Sequence, residues 1–274
     1  MSAVPHDLAG VAELVAARGG KLGGTIHLLA ETGSTNDDAK AAAREGAPHG
    51  SVWVAEAQSR GRGRQGRAWL SPPGQNLLFS VLLRISCPPA RVPPLSLASG
   101  LAVRDAVAKA VGDDERVLVK WPNDVVIRDP GPSARGFRKV AGILMESSLA
   151  GARVEHVVVG IGVNVHTRDL PGEIAAIATS VALESEGTPS RSAILADILS
   201  ALERDVENVA HRGLASVHAR LAARDALAGR TVSSDDGSLE GVACGIDPDG
   251  RLLVRRADGS VAKVASGELR IGAG

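Results

Sequence analysis

Residues 139–165 read KVAGILMESSLAGARVEHVVVGIGVNV and contain two apolar runs separated by a short connection. Each run is long enough to form a strand, and the short connection favours antiparallel pairing, so the segment predicts a β-hairpin with strands at 139–147 and 154–165. Gly160 and Gly162 interrupt the second run. Glycine inside a strand usually marks the close approach of a ligand or of another backbone, so this strand is a candidate wall of a binding site.

The segments before and after this hairpin alternate irregularly between strand-like and helix-like patterns. Apolar runs predict the strands, and apolar residues at helical spacing predict the helices. The predicted strands lie at 25–31, 51–57, 76–85, 117–120 and 124–127, and the predicted helices at 8–17, 34–46, 95–111, 190–212 and 214–227. Ser34 or Thr35 is the predicted N-cap of the second helix. Because the order lacks a βαβ rhythm, we predict an α+β fold with a mixed sheet rather than a doubly wound one.

The pattern of the sequence changes at Gly229. Short β-like runs follow, broken by Asp-Gly and Pro-Asp-Gly turns, as is typical of a small β-barrel or meander. We therefore predict two domains: residues 1–228, with a short N-terminal helix, and residues 229–274.

Aromatic residues are scarce in this chain. Its 274 residues include three Trp, two Phe and no Tyr, while 44% are hydrophobic, so the core must be mainly aliphatic. Trp69 and Trp121 stand in polar, loop-like stretches. Each is therefore a candidate flat surface for a ring-shaped ligand, with a core position as the alternative. Trp53, Phe79 and Phe137 are assigned to packing.

Composition excludes several classes of function. With 31 basic and 31 acidic residues the net charge is zero, which gives no electrostatic reason to expect binding to DNA or to a membrane surface. The two cysteines are far apart, which favours a reducing, cytoplasmic compartment, and no apolar run reaches the roughly 18 residues of a membrane span. The chain also lacks H-E-x-x-H, G-x-S-x-G and histidine pairs at metal spacing, so a metalloenzyme or a covalent nucleophile is disfavoured.

Four arginines lie between residues 60 and 67 on a glycine-bearing backbone: Arg60, Arg62, Arg64 and Arg67. The GRGRQG segment at 61–66 matches the dinucleotide-binding pattern, but prolines at 72 and 73 prevent the helix that this pattern requires. A solvated loop, an RNA-binding run and an anion clamp for a polyphosphate are left as interpretations. The clamp is favoured by guanidinium forks, which bind phosphate oxygens bidentately. The glycines also predict that the loop is mobile without ligand and orders on binding.

Two further segments carry polar groups that suit a pocket. KWPND at 120–124 gathers a cation, an indole, an amide and a carboxylate around a proline-fixed turn. This turn favours a ligand site, with a purely structural turn as the alternative. Lys139 begins an apolar strand, where its amine can point into a pocket or simply reach solvent.

Five of these segments occur in the order of one known family. They are ETGSTN at 31–36, AEAQSRGRGRQGRAW at 55–69, KWPND at 120–124, RKVAGIL at 138–144 and GIGVN at 160–164. In this order the chain resembles the biotin protein ligases, and its β-rich tail resembles their SH3-like C-terminal domain. The resemblance implies that ATP activates biotin to biotinyl-5'-AMP with loss of pyrophosphate. Biotin then passes to one lysine of a biotin carboxyl carrier protein or domain.

The resemblance also implies roles for individual residues. Lys139 and Arg64 are the implied catalytic residues. The implied biotin-binding residues are Ser34, Thr35, Asn36, Gln58, Gly61, Arg62, Gly63, Arg64, Lys139, Gly142 and Gly160. The implied ATP-binding residues are Arg64, Arg67, Trp69, Lys120, Asn123, Leu144 and Asn164. Asp124 is a candidate either for binding Mg²⁺, which is expected with ATP, or for orienting the incoming lysine amine, and Arg270 is the candidate counterpart of a C-terminal arginine that faces ATP.

Some family members carry a helix-turn-helix domain before the catalytic part. Only about 24 residues precede the first predicted strand, too few for such a domain, so the expectation is a ligase without DNA binding. A lipoate or octanoyl transferase with the same catalytic fold is the alternative enzyme. A nucleic-acid-binding module that uses the four arginines is the alternative outside enzymes.

Overall fold

The computed structural model describes residues 7–8, 10–129, 136–267 and 269–272. Its helices are α1 Val11–Ala16, α2 Thr35–Arg44, α3 Val92–Val111, α4 Gly172–Ala175, α5 Val181–Glu184, α6 Arg191–Arg212 and α7 His218–Ala223. Its strands are β1 Ile26–Leu29, β2 Val52–Ala55, β3 Leu77–Leu83, β4 Val117–Lys120, β5 Asp124–Arg128, β6 Phe137–Ala150, β7 Arg153–Val163, β8 Thr231–Ser234, β9 Glu240–Ile246, β10 Leu252–Arg255, β11 Val261–Val264 and β12 Leu269–Ile271.

The first sheet has the strand order β1-β2-β3-β7-β6-β5-β4. Strands β1 and β2 are parallel and the remaining neighbours are antiparallel, which confirms the predicted mixed sheet and α+β class. The predicted hairpin is also confirmed. Its strands β6 and β7 pair directly and are bordered by β3 and β5.

The two faces of this sheet are covered differently. Helices α3 and α6 pack against each other and cover one face, where they form the main aliphatic core with side chains such as Phe79 and Ile161. Helix α2 covers part of the other face, where Leu82 and Val158 pack against the alanines of the helix and Trp53. Further along this second face, β7 presents Gly160 and Gly162, because alternate residues of a strand share a face. Glycines in place of apolar side chains leave a depression beside α2.

Several helix predictions need correction. Helix α3 begins at Val92 rather than at 95, with prolines in its first turn, where a missing N–H is tolerated. The region predicted as one helix at 214–227 is a 3₁₀ turn at Leu214–Ser216 followed by the short helix α7. Helices α4 and α5 were not predicted, since four residues are too few to show helical spacing.

The second sheet has the order β11-β10-β9-β8-β12, and all of its neighbours are antiparallel. It forms the small SH3-like C-terminal β-domain that the turn pattern predicted. The boundary between residues 228 and 229 stays a prediction, and β8 begins at Thr231. Among the described residues, no helix is long and apolar enough to span a membrane.

Trp121 joins the two sheets. Its side chain is only 2% exposed, and its indole Nε1 donates to the backbone oxygen of Gly250 over 2.9 Å. The expectation that Trp121 offers a flat surface to a ligand is therefore wrong, because the ring is packed into the core where the C-terminal domain meets the first. The assignment of Trp53, Phe79 and Phe137 to packing is confirmed, since all three are buried.

We predict that Trp121→Phe weakens this contact between domains. The variant leaves the Gly250 oxygen without its indole donor, which should lower the free energy of unfolding by about 1–2 kcal/mol. Urea denaturation measures the loss. Trp53→Phe is the matched control, because Trp53 stacks on His27 within the first sheet. A loss for Trp121→Phe no larger than that of the control would contradict the prediction.

Candidate active site

A cavity of about 500 Å³ lies over the depression, between α2, strands β3, β7 and β6, and the arginine-rich loop. Its wall combines polar, apolar and cationic side chains. It is lined by Ser34, Thr35, Asn36, Gln58, Arg62, Gly63, Arg64, Trp69, Leu78, Phe79, Asn123, Lys139, Gly142, Ile143, Leu144, Gly160, Ile161 and Gly162. The structure thus brings together most of the site residues predicted from widely separated segments.

Glycines form the floor of the cavity because other residues do not fit there. A Cβ on Gly160 would collide with Asn36 Oδ1, and a Cβ on Gly162 would lie 2.6 Å from the indole of Trp69. A Cβ on Gly142 would lie 2.9 Å from the same indole and 3.0 Å from Lys139 Nζ. Gly160 therefore marks the end of the cavity near Asn36, and Gly142 with Gly162 marks the end near Trp69 and Lys139.

The end near Asn36 is polar and is built on the N-terminus of α2. Ser34 occupies the N-cap position, as predicted, but its side chain makes no capping bond. Gln58 replaces it: its Oε1 accepts from the backbone N–H of Thr35 over 2.8 Å and lies 3.1 Å from Thr35 Oγ1. The Ser34 hydroxyl is thereby left to line the cavity.

Asn36 has a defined orientation in this polar end. Its Oδ1 accepts from the hydroxyl of Ser80 over 2.6 Å, and its Nδ2 donates to Glu146 Oε2 over 2.7 Å. A flipped amide would place its oxygen against the Glu146 carboxylate and lose that bond, so Glu146 fixes the orientation of Asn36. Ser80 and Glu146 were absent from the predicted site. A lone hydroxyl in an apolar strand could have indicated Ser80. No local pattern could have indicated Glu146, because it lies 110 residues from Asn36.

The opposite end carries a lysine amine beside an indole. Lys139 Nζ lies 2.6 Å from Asp124 Oδ1 and 5.2 Å from the centre of the Trp69 ring. The carboxylate and the ring face both attract the ammonium group and orient it. Lys139 is one-third exposed, so its amine is held in place and can still be reached from the cavity.

Arg62 and Arg64 of the loop have different partners, which the sequence did not distinguish. Arg62 forms a bidentate ion pair with Asp37, with distances of 2.6 and 2.7 Å. Arg64 donates to Asn123 Oδ1 over 3.3 Å, and no carboxylate lies within ion-pair distance of it among the residues that the structure describes. Burial lowers the pKa of Arg64, yet an arginine stays charged at neutral pH. Arg64 is therefore a partly desolvated cation available to an anionic ligand.

Two neighbouring cavities extend the site. One, of about 630 Å³, is lined among others by Arg67, Lys120 and Asp124. The other, of about 880 Å³, runs along the start of α3 to Ala265 and Ser266 of the C-terminal domain. Arg64 and Asn123 line all three cavities, so these two residues stand where the cavities meet.

Some predicted residues do not line the main cavity. Gly61 is covered by the backbone oxygen of Trp69, which would lie 2.8 Å from a Cβ at this position. Asn164 is buried, and its amide donates to the backbone oxygen of Thr179 over 3.0 Å. Arg270 pairs with Asp235 over 2.6 Å on the exposed side of the second sheet. The structure therefore does not bring Asn164 or Arg270 to the site.

The residues present do not form a cage for Mg²⁺. Asp124, the candidate ligand, is paired with Lys139. No group of three or more His, Cys, Asp or Glu side chains suited to a metal ion occurs in the described part of the chain. A magnesium ion that arrives with ATP would therefore be held mainly by phosphate oxygens and water.

Two family models match the two parts of the chain, the domain with the mixed sheet and the cavity and the small antiparallel β-domain. The biotin/lipoate A/B protein ligase family matches residues 30–164, and the biotin protein ligase C terminal domain matches residues 231–269. The first match spans the strands and loop that surround the cavity, and the second spans the SH3-like domain.

Similar proteins define the class further. The biotin--[acetyl-CoA-carboxylase] ligase of Paracoccus denitrificans is 36% identical over 83% of this chain and 93% of its own length. The bifunctional ligase/repressor BirA of Bacillus subtilis is 31% identical over 87% of this chain and 71% of its own length. The biotin protein ligase from Aquifex aeolicus in complex with biotin and ATP superposes with a TM-score of 0.75, at 27% identity, over 92% of this chain and 100% of that one. The chain belongs to the biotin protein ligases.

Proposed function

We propose that this chain joins biotin to AMP at the expense of ATP and then transfers biotin to a lysine of a biotin carboxyl carrier protein or domain. The observation that carries the proposal is the order of groups along the cavity. A hydrogen-bonding end at Thr35, Asn36 and Gln58 is followed by an apolar wall and then by the cations Lys139 and Arg64.

This order matches the chemistry of biotin. Its ureido ring offers N–H donors and a carbonyl acceptor, which suit the hydroxyls and amides of the polar end. Leu78 and Gly160 offer an apolar surface beside this end for the sulfur-containing ring and the aliphatic chain. Gly160 and Gly162 lie two residues apart on one face, about 6.6 Å, and the Trp69 indole covers Gly162, so a molecule that extends from Asn36 along this indole approaches Lys139. The biotin carboxylate would then lie among the cations.

In the first step, a carboxylate oxygen of biotin attacks the α-phosphorus of ATP. A carboxylate–phosphorus bond forms, the bond to the β-phosphate bridging oxygen breaks, and pyrophosphate leaves. Negative charge increases on the α-phosphate oxygens, so positioned cations supply most of the catalysis. Lys139 and Arg64 are the cations at this position, and Asp124 orients the amine of Lys139. We place the phosphates near Arg67 and Lys120, and the nucleotide against Trp69, Asn123 and Leu144.

In the second step, the neutral amine of the carrier lysine attacks the acyl carbon, and AMP leaves with the electron pair of the acyl–oxygen bond. After the attack the nitrogen carries one excess proton, which passes to the phosphate of the departing AMP or to water. Asp124, the carboxylate beside the reaction centre, can orient the incoming amine. Asn164 is proposed to act indirectly, by holding the backbone of Thr179 next to the hairpin.

The decisive test is ATP-dependent labelling of a carrier domain. The protein, ATP, Mg²⁺ and biotin should label a biotin carboxyl carrier domain at one lysine, whereas a carrier with arginine at that position should stay unlabelled. Lipoate in place of biotin is the control for the alternative enzyme. Formation of lipoyl-AMP without biotinyl-AMP would overturn the proposal.

We also propose that the chain acts as a ligase alone and in the cytoplasm. Support for the first comes from zero net charge and from similarity over 93% of the Paracoccus relative, whose name is that of a ligase. Support for the second comes from two free cysteines, Cys87 and Cys244, which suit a reducing compartment. Tight DNA binding in a gel shift at moderate salt would contradict the first.

Arg64→Ala is predicted to release the intermediate early. Arg64 is the loop cation that faces the cavity without a carboxylate partner within the described residues, so its loss removes a contact to the phosphate and little else. One desolvated charge-assisted contact is worth about 1.5–3 kcal/mol, which corresponds to roughly 10- to 150-fold faster loss of biotinyl-AMP. Filter binding of labelled intermediate measures the rate. Arg60→Ala, outside the cavity wall, is the matched control, and unchanged retention in Arg64→Ala would refute the role.

A further inference from the structure

Arg62 is tied to helix α2 although it belongs to the loop that covers the cavity. Its Nη1 and Nη2 donate to the two carboxylate oxygens of Asp37 over 2.7 and 2.6 Å. Glu146 on β6 lies 3.8 Å from the same guanidinium, and Lys40 bridges the two acids at 3.0 and 2.6 Å. Two acids and two cations thus form a closed cluster beside the cavity.

The acids of this cluster do not line the cavity. Arg62 lines it, whereas Asp37, Lys40 and Glu146 stand behind it. Asp37 therefore influences the cavity by holding Arg62 in place, and not by contacting a ligand itself. The guanidinium of Arg62 holds the pKa of the Asp37 carboxyl well below its usual range, so the pair is charged throughout the neutral pH range.

Backbone contacts link Arg62 to the rest of the loop, so the ion pair with Asp37 also restrains the residues that follow. Arg62 forms a β-bridge with Ala68, and the backbone N–H of Trp69 donates to Gly61 oxygen over 2.9 Å. Fixing Arg62 therefore fixes the segment that carries Trp69, whose indole covers the glycine floor at Gly142 and Gly162. Without the ion pair, the loop keeps the bond from Arg64 to Asn123 and backbone bonds such as that from Trp69 to Gly61, while its glycines contribute no side-chain contacts.

We infer that Asp37 is a positioning residue, a latch that holds the Gly61–Trp69 loop closed over the cavity through Arg62. The latch sets how often the loop opens and hence how fast a bound ligand leaves. The identity of that ligand, biotin and its adenylate, rests on the proposed function, whereas the loop closure does not.

The first measurement uses the ligand-free protein. Amide hydrogen exchange at Gly63 and Trp69, which donate to the Arg67 and Gly61 oxygens within the loop, reports local unfolding of the loop, the form of opening that the anchor at Arg62 opposes. Asp37→Asn should accelerate this exchange about three- to tenfold, since the pair is partly exposed and its loss is modest. Asp37→Glu, which restores the charge, should recover most of the protection.

Asp38→Asn is the matched control. Asp38 lies in the same first turn of α2, so it has the same helix-dipole contribution, but it accepts from Thr32 Oγ1 over 2.7 Å and not from the loop. The control should leave exchange at Gly63 and Trp69 unchanged. Equal acceleration in both variants, or none in Asp37→Asn, would overturn the latch.

The second measurement is the rate at which biotinyl-AMP leaves the protein. Asp37→Asn should raise this rate about three- to tenfold at low salt, and high salt should bring the wild-type rate towards that of the variant because salt screens the pair. A salt-independent difference would contradict an electrostatic latch. If the wild-type protein formed no biotinyl-AMP, the proposed function would fall, while the exchange result would still decide the latch.

Discussion

Lys139→Ala should reduce biotinyl-AMP synthesis by about 10²- to 10³-fold or more while the protein stays folded. The amine lies at the end of the cavity where the carboxylate and the α-phosphate are placed, and removing one positioned group that stabilises developing charge costs this much. Biotin-dependent exchange of pyrophosphate into ATP measures the step without the carrier protein.

The variant should cost little stability. Lys139 is one-third exposed, and its partner Asp124 also lines a neighbouring cavity, so water can replace the amine. Lys109→Ala is the matched control. Lys109 is 69% exposed and pairs with Asp197 on the surface, so its loss should leave the rate of pyrophosphate exchange unchanged. A stably folded Lys139→Ala protein with normal pyrophosphate exchange would refute the catalytic role.

Gly160→Ala should weaken biotin binding about 30- to 150-fold, or 2–3 kcal/mol. The added methyl group collides with Asn36 Oδ1, so Asn36 must move and lose its bond from Ser80 or to Glu146. The polar end then loses its ordered amide and part of its volume. Isothermal titration with biotin measures the affinity, and a thermal melt verifies the fold.

Gly172→Ala is the control for this substitution. A Cβ on Gly172 meets nothing within 4 Å, and the residue begins α4 outside the cavity wall. Biotin affinity in this variant should equal that of the wild type. If Gly160→Ala bound biotin normally, the polar end of the cavity would not be the ureido site.

Local patterns in the sequence were sufficient to predict the sheet elements. The β6–β7 hairpin followed from two long apolar runs joined by a short connection, and the α+β class followed from the irregular order of strands and helices. The beginning of α3 was misplaced by three residues, because Pro93 and Pro94 suggest a break, although the first turn of a helix accepts them. The sequence shows that two prolines are present, but it does not show whether they lie before the helix or in its first turn.

Contacts between segments that are distant in the sequence could not be predicted from it. Trp121 has the composition of a ligand-binding turn around it, yet its partner Gly250 lies 129 residues away in the other domain. Arg62 and Arg64 are equivalent in the sequence, and only the position of Asp37 on α2 separates an anchored arginine from an available one.

The cap of α2 also bears on the order in which the molecule assembles. Gln58, which supplies that cap, follows β2 and lies 23 residues beyond Thr35. In the folded chain Ser34 makes no capping bond, so α2 receives this cap from a residue that lies outside the helix. The polar end of the cavity becomes complete only after β2 has aligned beside β1 and carried Gln58 into place, so a partly folded chain has no preformed biotin pocket to offer.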